Sequence, residues 1–173
     1  MNKRVITYPL ILGSVVLLST FLLAFVYNIT KPIIEENAII RENQVVLDLF
    51  PGAEIKVVEG ELTKDEKDAG LTSVVKADDN YVYTFNTKGF KEGFVFLIAI
   101  DGEGNFNAFH IVSSMDTPGH VDNVRSKNYS DIFIDKSYDT EFGDNLIITG
   151  STYTSGAVAE AVRVAGQHYG RIK

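Results

Sequence analysis

The first thirty residues contain two charged side chains, Lys3 and Arg4, and the next charge is at Lys31. Residues 8–27 are strongly apolar, and about twenty helical residues rise roughly 30 Å, enough to cross the hydrocarbon core of a bilayer. No small-residue cleavage pattern follows the apolar run. We therefore predict an uncleaved membrane anchor over residues 1–30, and a signal peptide with a poor cleavage site is the alternative.

The positive-inside rule keeps Lys3 and Arg4 in the cytoplasm and places residues 31–173 outside, which predicts a single-pass protein of the cell membrane. This outer part has 14 basic and 23 acidic residues, a net charge of about −9. Such a charge argues against nucleic acid as a partner. The chain has no cysteine, so disulfides, thiolate metal sites and cysteine nucleophiles are excluded.

The remaining length suits one domain with its own core. A second helix is predicted over residues 30–50, with Thr30 as its cap, and it is expected to continue from the anchor, pack on the domain and stop at Pro51. A short strand is predicted at residues 55–58. Residues 61–80 are polar and rich in Lys, Asp and Glu, so we expect a mobile or irregular connection there.

Three further strands are predicted from apolar alternation and apolar runs. They cover residues 81–87, 93–100 and 106–113. Residues 101–105 are rich in glycine and polar side chains, so they join the last two strands as a hairpin loop. These segments predict an antiparallel sheet that supplies most of the core.

A cluster of hydroxyl residues precedes the last helical pattern. Its members are Thr149, Gly150, Ser151, Thr152, Tyr153, Thr154 and Ser155. Apolar residues follow at helical spacing, at Val158, Ala161, Val162, Ala165 and Tyr169. Ile147 and Ile148 lead in as a β-branched run and Ser155 is a suitable N-cap, so we predict a strand-to-helix turn. The N-terminus of such a helix favours phosphate.

This cluster resembles the Ser/Thr-Gly-Ala-Thr-x-Thr-Ser flavinylation motif of FMN-binding domain proteins. Similar proteins are the G subunit of Rnf-type ferredoxin:NAD oxidoreductases and the C subunit of sodium-translocating NADH:quinone reductases. In that family a flavin transferase esterifies FMN, through its phosphate, onto the threonine that matches Thr152. The resemblance implies that the other cofactor-binding residues of the cluster are Thr149, Gly150, Ser151, Tyr153 and Thr154. Considered without it, the cluster is explained by a capped turn.

A second motif occurs at Asp116, Thr117, Pro118 and Gly119, a few residues after the third of these strands. It resembles the Glu-Thr-Pro-Gly loop of the same family, which lies close to the bound flavin. The resemblance therefore implies that Thr117, Pro118 and Gly119 line the cofactor. The alternative is an ordinary β-turn, for which Pro followed by Gly is a common sequence.

The two motifs, in the family's order, imply an α+β chain: a single N-terminal transmembrane helix followed by one FMN-binding domain with an antiparallel sheet and packed helices. The implied function is electron transfer by a flavoprotein subunit of an Rnf-like, ion-translocating membrane complex, rather than a stand-alone enzyme. The implied partners are the membrane, the other subunits of the complex and a flavin transferase.

Two features leave alternatives open. Relatives usually have an aspartate where this chain has Leu146, and this motivates a second hypothesis, an anchored binding or structural module that has lost the flavin. Ring-stacking candidates are Tyr153, Phe109 and Tyr129, for which core packing is the alternative. The spacing of the histidines matches no established metal site, so no metal is assigned, and no catalytic residue is predicted.

Overall fold

The computed structural model describes residues 3–58 and 60–173. Helix α1 (Lys3–Leu49) contains one segment, Ile11–Thr30, that is long and apolar enough to cross a membrane. Its length and composition suit a single-pass anchor and equally a signal sequence. The predicted restart of the helix at Thr30 is wrong, because α1 runs through this position and the Thr30 hydroxyl donates to the Val26 carbonyl at 2.9 Å.

The chain divides into two compact units, Met1–Asn43 and Gln44–Lys173. The second unit contains an antiparallel sheet whose strands pair in the order of the sequence. The strands are β1 (Ile55–Val57), β2 (Leu71–Ala77), β3 (Asn80–Thr87), β4 (Phe94–Ile100) and β5 (Phe106–Ser113). The helices after α1 are α2 (Lys64–Asp68), α3 (Pro118–Arg125), α4 (Lys127–Ser130) and α5 (Thr152–Ile172), with a 3-10 helix at Gly143–Leu146. The predicted α+β fold and the four strands predicted between residues 55 and 113 are confirmed.

The sheet has an apolar cluster on each face, as its alternating side chains require. The larger cluster joins sheet residues such as Phe85 and Phe96 to the helices. It includes the whole predicted face of α5: Val158, Ala161, Val162, Ala165 and Tyr169. The smaller cluster joins Val75, Val82 and Leu97 to Val46 near the end of α1, which confirms that the end of this helix packs on the domain.

The expectation of an irregular connection over residues 61–80 is wrong. Thr63 and Glu66 form a capping box that begins α2, with the Thr63 N–H donating to Glu66 Oε2 at 2.7 Å. Strand β2 follows and pairs with β3. Its apolar residues Leu71, Val74, Val75 and Ala77 are buried, so a few side chains define a strand within a sequence that is polar on average.

The lead-in to α5 also differs from the prediction. Ile147 and Ile148 form no strand and follow the 3-10 helix instead. The helix begins at Thr152 with Ser151 at the N-cap position, earlier than predicted. The Ser155 hydroxyl accepts from the Ile148 N–H at 2.9 Å and donates to the Ser151 carbonyl at 2.9 Å, so it braces the turn from inside the helix.

Gly166 marks a close approach between α5 and the segment before the 3-10 helix. A Cβ at Gly166 would overlap the backbone carbonyl oxygen of Tyr138, which has little freedom to move. We expect Gly166→Ala to lower the free energy of unfolding by about 2 kcal/mol, as overpacking does. Gly156→Ala is the matched control, because its Cβ would meet only the Ile147 Cδ1 atom at 3.9 Å.

The change in stability caused by Gly166→Ala and by Gly156→Ala is measured by thermal unfolding of the full chain in detergent. The control should be unchanged or up to about 1 kcal/mol more stable, from the higher helix propensity of alanine. Equal stability of the two variants would contradict the close approach at Gly166.

Candidate functional site

One buried carboxylate joins three segments that are distant in the sequence. Asp116 is 7% exposed and lies between β5 and α3. It accepts hydrogen bonds from the backbone N–H groups of Phe90 at 3.1 Å and Lys91 at 2.6 Å, in the β3–β4 loop. It also accepts from the Thr154 hydroxyl at 2.7 Å, in the first turn of α5. Asp116 therefore fixes the positions of the loop and the helix start together.

The charge of Asp116 suits this position. Burial alone raises the pKa of the carboxyl, because desolvation disfavours the ionised form. Hydrogen bonds from Thr154, Lys91 and Phe90, together with the nearby His120, outweigh burial and hold the pKa below its usual value. The ionised carboxylate is an acceptor only, which matches the three donors that surround it.

Helix α3 contacts the turn before α5 through two side chains. His120 Nδ1 lies 2.7 Å from the Gly150 carbonyl oxygen, and Asn123 Nδ2 donates to the Ser151 hydroxyl at 2.8 Å. A carbonyl oxygen only accepts, so Nδ1 carries the proton in this contact. Gly150 has a φ of +86°, which a residue with a side chain rarely adopts and which allows the tight turn.

Thr152 is exposed and is the first residue of α5. Its hydroxyl lies 3.5 Å from the Ile148 carbonyl oxygen, a distance at which a hydrogen bond is weak. The first N–H groups of a helix have no partner within it, and the dipole of the helix is positive at this end. The Thr152 hydroxyl is thus accessible at a point that favours a phosphate group.

A cavity of about 200 Å³ lies beside Thr152. Its lining consists of Phe90, His120, Gly150, Ser151, Thr152, Tyr153 and Thr154. The Phe90 and His120 rings stack with centroids 5.0 Å apart, and the Phe90 and Tyr153 centroids are 6.4 Å apart. Phe90 is 48% exposed and Tyr153 is 73% exposed, so aromatic surface faces solvent around the cavity.

The structure brings together part of the predicted site. Gly150, Ser151, Thr152, Tyr153 and Thr154 all line the cavity, whereas Thr149 is exposed outside its lining. Thr117, Pro118 and Gly119 are exposed at the start of α3, with Thr117 as its N-cap, and they are not lining residues of this cavity. The Pro-Gly pair therefore begins a helix rather than a β-turn. A contact between these residues and a cofactor stays a prediction.

Two of the three ring-stacking candidates belong to the core. Phe109 and Tyr129 both pack edge-to-face on Phe133, and the Tyr129 hydroxyl donates to the carbonyls of Leu146 at 3.1 Å and Ser155 at 3.3 Å. Tyr153 alone of the three lies at the cavity. Sequence reasoning missed Phe90 and Asn123: a large apolar residue within a polar loop was a usable signal for Phe90, and nothing in the sequence distinguishes Asn123.

The fold and the site define a class: an α+β domain, preceded by an apolar helix, in which an accessible threonine begins a helix beside an aromatic cavity. Residues 89–167 match the family model of the FMN-binding domain, and this match supports an FMN-binding domain in that part of the chain. The match includes the β3–β4 loop from residue 89, Asp116, and α5 up to residue 167. No curated protein shows significant similarity to the chain.

The residues present fit FMN in an open site. The positive end of α5 suits the phosphate, and the rings of Phe90, His120 and Tyr153 suit an aromatic ring system. Sites that enclose a small molecule have volumes of roughly 300–1,000 Å³. Because this cavity is smaller, it has room for only part of such a cofactor, and the rest would lie at the surface.

Proposed function

We propose that the chain is a membrane-anchored electron-transfer subunit that carries FMN linked through its phosphate to Thr152. The observation that carries this proposal is the accessible Thr152 hydroxyl at the N-terminus of α5, within the part of the chain that matches the FMN-binding domain. When bound, FMN supplies two-electron acceptance and one-electron release. Thr152 is then a tether and takes no part in electron transfer.

The attachment needs a donor with an activated phosphate, for which we propose a flavin dinucleotide and a flavin transferase. The Thr152 Oγ1 atom forms a bond to the phosphorus on the flavin side of the pyrophosphate. The pyrophosphate bond breaks, the nucleoside monophosphate leaves, and the hydroxyl proton passes to a base of the transferase. The protein gains FMN minus water, and no electron is transferred in this step.

The exposed aromatic rings at the cavity are the proposed contact for the flavin ring. Phe90 and His120 form one stacked pair, and Tyr153 follows Thr152 directly in the chain. The burial of Asp116 beneath them keeps the β3–β4 loop and α5 at a fixed separation. Exposed aromatic surface beside the cofactor also suits direct contact with a redox partner.

The proposed cellular location rests on the apolar anchor and on the two basic residues that precede it. With Lys3 and Arg4 in the cytoplasm, the domain lies outside the cell membrane, where a covalent link prevents loss of the cofactor. We propose that the other subunits of an Rnf-like, ion-translocating complex are its partners. The resemblance to Rnf G subunits and to the C subunits of NADH:quinone reductases is consistent with the matched family.

A second function is favoured by one residue. Leu146 stands where proteins of the resembled family usually have an aspartate, and the residue is 1% exposed within the main apolar cluster. The nearby Asp144 is exposed. The position is thus part of the core and offers the transferase no carboxylate, as expected for a binding module that has lost the flavin.

The two functions predict different masses. The full chain is co-expressed with a flavin transferase, purified in detergent, and examined by intact mass and visible absorbance. A gain of FMN minus water supports the electron carrier. An unmodified chain without bound yellow flavin contradicts it and supports the binding module.

A further inference from the structure

We propose that α3 is a clamp that sets the position of Thr152 through His120 and Asn123, and this inference rests on the proposed attachment at Thr152. The two side chains are three positions apart, so they lie on the same face of α3. They contact consecutive residues, Gly150 and Ser151, which directly precede Thr152. The clamp therefore acts on the backbone that carries the reacting hydroxyl.

The clamp is needed because few other contacts hold the turn before α5 on the side that faces α3. Ser151 occupies the N-cap position, yet its side chain makes no capping hydrogen bond to the helix. Ser151 is 2% exposed, and its hydroxyl accepts a hydrogen bond from the Asn123 amide instead. Loss of Asn123 would leave a buried hydroxyl without this partner, which is more costly than loss of an exposed one.

His120 acts on the other residue of the turn. Its Nδ1–H group donates a hydrogen bond to the Gly150 carbonyl, and its ring stacks on Phe90. The backbone N–H of Phe90 in turn donates to the Asp116 carboxylate. The turn is thus connected through α3 to the same loop that lines the cavity. The flavinylation motif that the cluster resembles has alanine where this chain has Ser151, and alanine has no hydroxyl to accept the Asn123 hydrogen bond.

The clamp predicts two separate consequences. Without it, the amide hydrogen of Ser151, which donates to the Ile148 carbonyl at 3.0 Å, should exchange with solvent more quickly in the protein that lacks flavin. The Thr152 hydroxyl should also spend less time in the reactive position, so its modification at saturating flavin donor should be slower. One hydrogen bond contributes about 1 kcal/mol, so each effect should be roughly fivefold for each contact removed.

The variants are made in the full chain in detergent. Asn123→Ala and His120→Leu each remove one contact, and His120→Asn retains a donor near the position of Nδ1. Asp122→Ala is the control, since Asp122 is exposed on the same helix and pairs only with Arg125 among the described residues. Hydrogen exchange is followed by mass spectrometry, and modification by the rate of mass gain with flavin transferase and flavin dinucleotide.

We expect Asn123→Ala and His120→Leu to accelerate exchange and to slow mass gain about fivefold, with Asp122→Ala like the parent chain. His120→Asn should recover most of the loss seen with leucine. In a Ser151→Ala background, Asn123→Ala should have no further effect, because the bond is already absent. Unchanged exchange in both variants overturns the clamp, and faster exchange with unchanged rates overturns its role in positioning Thr152.

If the parent chain gains no mass, the attachment itself is contradicted. Hydrogen exchange then tests the clamp alone: faster exchange at Ser151 in both variants supports it and unchanged exchange overturns it. The failure of the proposed function and the failure of the clamp are therefore distinguishable.

Discussion

Replacing Thr152 by alanine should abolish covalent FMN while leaving the domain folded. The side chain is exposed and its one hydrogen bond, to the Ile148 carbonyl, is long at 3.5 Å, so its removal costs little stability. Intact mass after co-expression with a flavin transferase measures the result. The parent chain should gain FMN minus water and Thr152→Ala should gain nothing, since no other hydroxyl occupies this position at the start of α5.

Two further variants sharpen this test. Thr152→Ser retains a hydroxyl at the same position and should still gain mass, more slowly because serine has more side-chain freedom. Thr140→Ala removes an exposed threonine outside the proposed site and should behave as the parent chain. A mass gain in Thr152→Ala would move the attachment to another residue and contradict the assignment.

Replacing Asp116 by alanine should lower the free energy of unfolding by about 3 kcal/mol at neutral pH. The substitution leaves two backbone N–H groups, of Phe90 and Lys91, and the Thr154 hydroxyl without their acceptor. Each hydrogen bond to the charged carboxylate contributes about 1 kcal/mol or more. Chemical unfolding of the full chain in detergent measures the change, and Asp131→Ala is the control.

Asp131 is matched to Asp116 because its carboxylate also has a hydrogen-bonded partner, Lys127 Nζ at 2.6 Å. That pair is exposed, and surface ion pairs contribute roughly 0–1 kcal/mol. We therefore expect the control to stay within about 1 kcal/mol of the parent. If Asp116→Ala and Asp131→Ala lowered the free energy of unfolding by similar amounts, Asp116 would contribute no more than a surface ion pair.

The contribution of Asp116 should also depend on pH. Its pKa is lower in the folded chain than its usual value, which approximates the unfolded chain. The stabilisation is therefore fully present above the unfolded pKa, about 4, and is lost as the pH falls through the lower folded pKa. The stability difference between the parent and Asp116→Ala should shrink in acid, and a constant difference would contradict this mechanism.

Local patterns in the sequence were enough for much of the fold. The alternation in β3, the hairpin loop after β4 and the apolar face of α5 each depend on neighbouring residues, and all three predictions are confirmed. Strand β2 was missed because four buried apolar residues lie in a polar region. Ile147 and Ile148 looked like a strand but pair with no strand in the described part of the chain, which composition cannot reveal.

The site was only partly predictable for a different reason. The motifs identified Thr152 and the residues around it, but Asp116 meets Thr154 across 38 positions and Lys91 across 25. His120 meets Gly150 across 30 positions. Such contacts are set by the packing of the whole domain, and no local pattern encodes them.

The proposed attachment site is completed by helix α5. The strands pair in the order in which they are synthesised, whereas the Asp116–Thr154 contact and the contacts of α3 with Gly150 and Ser151 form only when the start of α5 is in place. A transferase that recognises this assembled surface would act only on a chain in which α5 has docked. Loading of the proposed cofactor would then report that the domain is folded, and misfolded copies would lack the flavin that the proposed electron transfer needs.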